Sequence, residues 1–324
     1  MFRRSDASAR GAKHTKFSFS MTLLLILLLA GCAGHGSPTK APLKPANAPQ
    51  SSIEPQLADL VAPARGHVGV LAVVIETNER VGALNPQDRF PMQSVYKLPI
   101  CMAVMKQIDE GKIRLDQKIK IAKDDYVPAA AHSPIRDKYP KGAELTIDEL
   151  VRFALSESDG TASDVLLKLA GGPTPVQKYL NDLGITEIIV LNTEKELAQD
   201  WQVQYQNSAT PEAGVALLRA LYEQKGLSES SRALVLKYMT ESTPGAKRLK
   251  GLLPEGTAVA HKTGTSGTQD GITAATNDIG IITLPNGKHL AIAVFVSDSP
   301  TGDSVREGVI AKVAKLVFDA IAAK

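Results

Sequence analysis

Strand patterns and helix patterns are segregated in this 324-residue chain: the strands lie toward its two ends, with a long helical block between them. After Gly66 the run HVGVLAVVIET is apolar and β-branched, and Arg80-Val-Gly-Ala-Leu follows a turn at Asn78, so two paired strands are predicted. Strand patterns return at 257–264, 276–284 and 288–297, and Pro285-Asn286-Gly287 joins the last two as a hairpin. Helical spacing runs through Met92–Gln107, 161–170, 174–183, 210–225 and 228–241. Another helix opens at Thr146, which forms a capping box with Glu149 ahead of Leu150, Val151 and Phe153. Ser304–Ala322 closes the chain with Val305, Val309, Val313, Leu316 and Ile321 on one stripe. The economical solution is an α/β (α+β) fold, in which the N- and C-terminal thirds build one antiparallel sheet and a mostly helical subdomain is inserted between them. A cleft between two such lobes is a common place for a site.

The first part of the chain reads as an address. Residues 1–20 carry a net +4, against +3 for the whole chain, so the remainder sums to −1. That removes the support for a nucleic-acid partner that a basic chain would offer. The uncharged run Met21–Ala30 follows; even extended back to Phe17 it makes about 21 Å of helix, short of the roughly 30 Å of a bilayer core. It is a signal-peptide h-region. Its end, Leu29-Ala30-Gly31-Cys32, resembles the lipobox of bacterial lipoproteins, which implies lipidation of Cys32; an ordinary cleavage site beside a cysteine is the alternative. Residues 32–52 are rich in Pro, Ala, Gly and Ser and read as a flexible tether. The expected order is therefore a signal peptide (1–31), the tether (32–52) and one domain (53–324). Within that domain an α/β lobe comes from about 53–90 and 243–324, and a helical lobe from about 91–242. The resemblance implies a periplasmic protein on a lipid anchor, with Ala33 favouring the outer membrane. Cys101, left alone in the mature chain, is read as a buried, inert thiol.

Ser94-Val-Tyr-Lys97 sets a hydroxyl and an amine one helical turn apart, where a neighbouring amine can take the proton of an otherwise weak nucleophile. Alone this means little: about one S-x-x-K is expected by chance in a chain of this length, and Ser37-Pro-Thr-Lys40 is such an accident. Two further elements follow in order, Ser158-Asp159-Gly160 at a helix–helix junction and Lys262-Thr263-Gly264-Thr265 at the end of a strand pattern. S-x-x-K, S-D-N and K-T-G together mark class A β-lactamases and penicillin-binding proteins.

Over roughly residues 55–322 the chain resembles a class A serine β-lactamase, and FPMQSVYK, QVQYQN, RLKGLLP, AHKTGTSG and TAATND are similar to its PER-like extended-spectrum branch. The resemblance implies a β-lactamase/transpeptidase-like fold, a five-stranded antiparallel sheet flanked by helices plus an inserted all-helical subdomain. It also implies hydrolysis of penicillins and cephalosporins. Glu194 stands at the family's omega-loop glutamate and separates a hydrolase from the alternative, a D,D-peptidase or penicillin-binding protein with slow deacylation. By resemblance Ser94 is the nucleophile, Lys97 or Glu194 its base, and Ser158 the proton relay. Lys262, Thr263, Gly264, Thr265, Arg248 and Gly160 are the substrate-binding positions. A catalytically silent envelope-binding domain is a further alternative, but it would have lost Ser94, Lys97 or Lys262. No cofactor is implied, and nothing calls for more than a monomer. His14, His35, His67, His132, His261 and His289 show no metal-ligand spacing, so no metal is expected.

Two positions depart from the family pattern. Gly160 replaces an asparagine and offers no side-chain donor, and Ala198 stands where the family has Asn, or His in the PER-like branch, to help hold the deacylating water. His261 is read as a packing or hydrogen-bonding residue facing away from Lys262, and Trp201 as a pin for the omega loop. Ser266 and Thr268 are read either as selectivity residues or as plain loop.

Overall fold

The computed structural model describes residues 53–322; the signal peptide (1–31) and the whole tether (32–52), with Cys32 and Ser37–Lys40, lie outside that range. The helices are α1 (Glu54–Val61), α2 (Lys97–Asp109), α3 (Pro134–Lys138), α4 (Ile147–Ser156), α5 (Gly160–Leu169), α6 (Pro173–Asp182), α7 (Glu194–Leu197), α8 (Pro211–Tyr222), α9 (Glu229–Thr240) and α10 (Asp303–Ala322). The strands are β1 (His67–Val74), β2 (Glu79–Leu84), β3 (Phe90–Pro91), β4 (Lys118–Ile121), β5 (Ala143–Thr146), β6 (Ile188–Ile189), β7 (Ser208–Ala209), β8 (Val259–Thr265), β9 (Thr268–Gln269), β10 (Ile272–Thr283) and β11 (His289–Ser299). No helix among the described residues is long and apolar enough to cross a membrane.

The main sheet is antiparallel in the order β2-β1-β11-β10-β8, with the two-residue β9 added beside β10. Its central strands read as near-continuous apolar runs because both faces are covered. Alternate residues divide between two cores. Val68, Val70, Ala72 and Val74 of β1, with Leu290, Ile292, Val294 and Val296 of β11, pack with α1 and α10. Leu71, Val73, Ala291, Ala293 and Phe295 join the core of α2, α4, α5 and α8. In α2 every residue from Lys97 to Met105 is buried, as in a helix surrounded by other elements.

Local signals account for several boundaries. Thr146 and Glu149 cap α4 reciprocally, the turn after β1 places Asn78 at φ +58°, and the hairpin after β10 places Gly287 at φ +79°. The stripe expected on α10 is rotated: Val309, Ile310, Val313, Ala314, Val317 and Ile321 are buried, whereas Val305 is exposed. Several elements were not anticipated: α1, α3, α7, the small β4–β5 hairpin and the two-residue strands β3, β6, β7 and β9.

Candidate active site

Ser94 is presented by a tight turn. The expected Met92–Gln107 helix is a 3₁₀ turn over Gln93–Tyr96 running into α2. Gln93 has φ +47°, a left-handed conformation that costs a non-glycine residue on the order of 1–2 kcal/mol. Ser94 lies in the first turn, so its backbone N–H has no helical acceptor.

Two features press β8 against this turn. A Cβ on Gly264 would sit 2.2 Å from the Met92 carbonyl oxygen, so the close approach requires glycine. Buried Asn277 on β10 donates from Nδ2 to the carbonyls of Pro91 (2.8 Å) and Met92 (3.2 Å), clamping the strand to the turn.

Lys97 is 1% exposed, and a buried ammonium persists only when its donors are met. Nζ donates to Ser94 Oγ at 2.6 Å and to the Ser158 carbonyl at 3.2 Å, and lies 2.5 Å from Glu194 Oε1. Ser158, at φ +57°, links α4 to α5; its Oγ accepts from Lys262 Nζ at 2.9 Å. Lys262 also donates to the Thr263 carbonyl at 3.1 Å. Burial, with the Lys97 ammonium nearby, holds Lys262 well below the usual lysine range. Asp159 caps α5 from a buried position, accepting from the N–H of Ala162 and Ile135 and from Ser133. It builds the junction and does not face the cleft.

Glu194 begins α7, a single turn closed by the Thr193–Glu196 capping box. Asp164 on α5 accepts from the backbone N–H of Glu194 at 2.7 Å and of Lys195 at 3.1 Å, which fixes that turn over Lys97. Burial pushes the Asp164 carboxyl up to about 6 against the bonds that favour its charge. Its importance was not legible in the sequence, where it reads as an ordinary polar position on α5.

These groups open into a cleft of about 730 Å³, to which Ser94, Lys97, Ser158, Glu194, Thr263 and Thr265 contribute. Lys262, Gly264, Gly160 and Arg248 stand behind its wall. The Gly160 N–H donates to the His132 carbonyl at 2.9 Å. Arg248 is buried, not a solvated helix-end charge, and its Nη2 donates to Thr265 Oγ1 at 2.7 Å.

The rest of the wall includes Ala198, Gln199, Asp200, Trp201, Ser266 and Gly267, with His132 also lining the cleft. The half-buried indole of Trp201 thus forms part of the cleft as well as of the loop. Gln204 Nε2 donates to the Trp201 carbonyl, and Gln204 Oε1 accepts from Gln93, bridging the nucleophile turn to the omega loop. Thr268 shares a hydrogen bond with Thr273 in the β9–β10 turn. Cys101 is fully buried and its thiol is pushed up to about 12. Among the described residues no three His, Cys, Asp or Glu side chains group as metal ligands.

The site brings together a serine hydroxyl against a buried lysine amine, a second hydroxyl–lysine pair, and a carboxylate against the first lysine. Comparison with known proteins agrees. A profile described as the β-lactamase enzyme family matches residues 52–321. The chain is 42% identical to Beta-lactamase VEB-1 of Pseudomonas aeruginosa over 84% of its own length and 91% of the relative's. It is 44% identical to Extended-spectrum beta-lactamase PER-1 of the same organism, over 72% and 76%. The crystal structure of a β-lactamase from Chitinophaga pinensis superposes with a TM-score of 0.80 at 46% identity, covering 82% of this chain and 98% of that one.

Proposed function

The chain belongs to the class A β-lactamase family, and we propose that it opens the β-lactam ring of penicillins and cephalosporins through a covalent acyl-Ser94 intermediate. It is a serine hydrolase whose activity gives β-lactam resistance. Ser94 Oγ attacks the lactam carbonyl after losing its proton to Lys97, which can first hand one to Glu194 across their 2.5 Å contact. The oxyanion is held by the N–H groups of Ser94 and Thr265. As the C–N bond breaks, Ser158 delivers a proton to the ring nitrogen and is resupplied through Lys262. Glu194 first gives back the proton it took, which makes good the one that Lys262 lost; as a carboxylate again it deprotonates the water that attacks the ester, and that proton leaves with Ser94.

Thr263 and Thr265 receive the substrate carboxylate at the cleft wall, with Lys262 supporting it from behind, Gly264 allowing the strand to lie close and Arg248 holding the Thr265 hydroxyl. Gly160 supplies no side-chain donor to the substrate's acylamino group, and Ala198 none to the deacylating water, so some substrates are released slowly.

The observation that carries hydrolysis over a long-lived adduct is the Glu194 carboxylate against Lys97. The test mixes the protein with a penicillin and follows ring opening together with protein mass. Many ring openings per protein support the reading; a stable Ser94 adduct indicates a D,D-peptidase or penicillin-binding protein, and no adduct a silent binding domain.

The reading extends to the precursor. Residues 1–31 are the lipoprotein signal peptide, Cys32 the lipidated residue, 32–52 the tether and 53–324 one catalytic domain, acting as a monomer in the periplasm on the outer membrane. The basic n-region, short apolar run and Leu29–Cys32 support this. Labelled fatty acid incorporated by the parent and lost in Cys32→Ser would bear it out, and unchanged labelling would refute it.

A further inference from the structure

Behind the anion-facing wall lie two ionisable side chains that the chemistry above does not use. His261 on β8 and Asp278 on β10 are both fully buried. His261 Nδ1 lies 2.9 Å from each Asp278 oxygen, while its Nε2 is buried without a hydrogen-bond partner. A carboxylate only accepts, and a buried N–H without a partner is costly, so the proton sits on Nδ1 and the ring is neutral. Asp278 carries the charge. Such a carboxylate inside a core needs compensation, and the residues around it show where that comes from.

Asp278 Oδ2 also accepts the backbone N–H of Leu249 at 3.2 Å. Leu249 follows Arg248, whose Nε donates to Glu307 (3.1 Å) and whose Nη1 donates to the carbonyls of Gly264 (3.2 Å) and Asn277 (2.9 Å), while Nη2 holds Thr265 Oγ1. Asp278 thus grips the chain one residue beyond the guanidinium that orients Thr265. The turn lies directly on the strand: a Cβ on Gly245 would come within 2.4 Å of Thr263 Cγ2 and 3.4 Å of His261 Cε1. The Asp278 carboxylate also works against the downward push that burial exerts on Lys262.

We propose that His261 and Asp278 are a positioning pair for the substrate carboxylate. Asp278, oriented by His261, seats the Arg248–Leu249 turn against β8, so that Thr263 and Thr265 meet the anion in fixed geometry. The inference rests on the β-lactamase reading above. It differs from a packing role in one respect: the pair matters only to a substrate that bears the carboxylate.

The experiment compares benzylpenicillin with its methyl ester, using the purified full chain and its Asp278→Asn, His261→Phe and His261→Asn variants, with melting temperature and Ser94 adduct stoichiometry measured for each. Asp278→Asn and His261→Phe raise KM for the acid by about tenfold, with kcat and the ester's kcat/KM changed by less than about twofold. His261→Asn, whose amide N–H stands near the former Nδ1–H, returns the KM for the acid to within about twofold of the parent. Equal losses on acid and ester after correction for active protein, or no change in Asp278→Asn, overturn the proposal; if that variant does not fold, His261→Phe decides by the same comparison. A parent that turns over neither substrate refutes the hydrolase reading, and the inference falls with it.

Discussion

Lys97 Nζ lies between Ser94 Oγ, at 2.6 Å, and Glu194 Oε1, at 2.5 Å, so one buried amine bridges the hydroxyl proposed to attack and the carboxylate proposed to act after it. The two half-reactions share a proton path. Lys97→Met removes the base and leaves Glu194 without its cation; acylation of Ser94, read as adduct formation in a single turnover, falls by about 10²–10⁴-fold. Acylation within threefold of the parent (about 0.6 kcal/mol) would remove Lys97 from this role.

Gly160 opens α5 between the His132 carbonyl and the Glu194 side chain. A Cβ there would meet the His132 carbonyl oxygen at 3.1 Å and Glu194 Cγ at 3.4 Å, contacts that a few tenths of an ångström relieve. Gly160→Asn lowers KM for acylamino penicillins by about fivefold, the worth of one hydrogen bond. Gly160→Ala adds the same Cβ without the amide and gives no gain; an equal gain from alanine would trace the effect to packing.

Gly264 tests how closely β8 must lie against the nucleophile. In Gly264→Ala the new methyl overlaps the Met92 carbonyl oxygen, 2.2 Å from the ideal position, and the strand must move. Acylation drops by about 10²-fold or more and the fold loses about 1–3 kcal/mol. Unaltered acylation with a normal denaturation midpoint would show that the strand edge and Ser94 are not geometrically coupled.

Asp164 gives a dependence on pH. Its carboxyl rises from 3.8 to about 6 on folding, chiefly through burial, so the native chain binds this proton more tightly than the unfolded one. Stability from this group is therefore fully present below the unfolded value and is lost as pH rises through about 6. Asp164→Asn removes the titration. The parent's unfolding free energy falls relative to that of Asp164→Asn by on the order of 3 kcal/mol across this window and then stays level. A difference that does not change with pH would contradict the assignment. Asn also turns an N–H toward the amides of Glu194 and Lys195, so deacylation slows in the variant.

What was legible in the sequence followed local chemistry. The Thr146–Glu149 box, the Asn286-Gly287 turn and the period-2 strands each specify a backbone within a few residues, and the three motifs carry the residues that converge on the cleft. The remainder depends on contacts between distant segments. The break of the first helix at Gln93 comes from β8 and Asn277 pressing on the Met92 carbonyl, which no helical periodicity records. Arg248 looks like a surface charge until the Gly264 and Asn277 carbonyls enclose it, and Asp164 looks like a helix-surface acid until the omega loop lands on it. The α10 stripe was misplaced because Arg306, bonded to Thr276, occupies an inward position that a hydrophobic pattern assigns to solvent.

The central claim is that Glu194 frees an ester formed on Ser94. Glu194→Gln mixed with a penicillin and followed by intact mass and peptide mapping tests it directly. The account predicts one equivalent of adduct on Ser94 that persists while the parent returns to its free mass, with release slowed by about 10²-fold or more. Release at the parent rate, or an adduct on another residue, would contradict it.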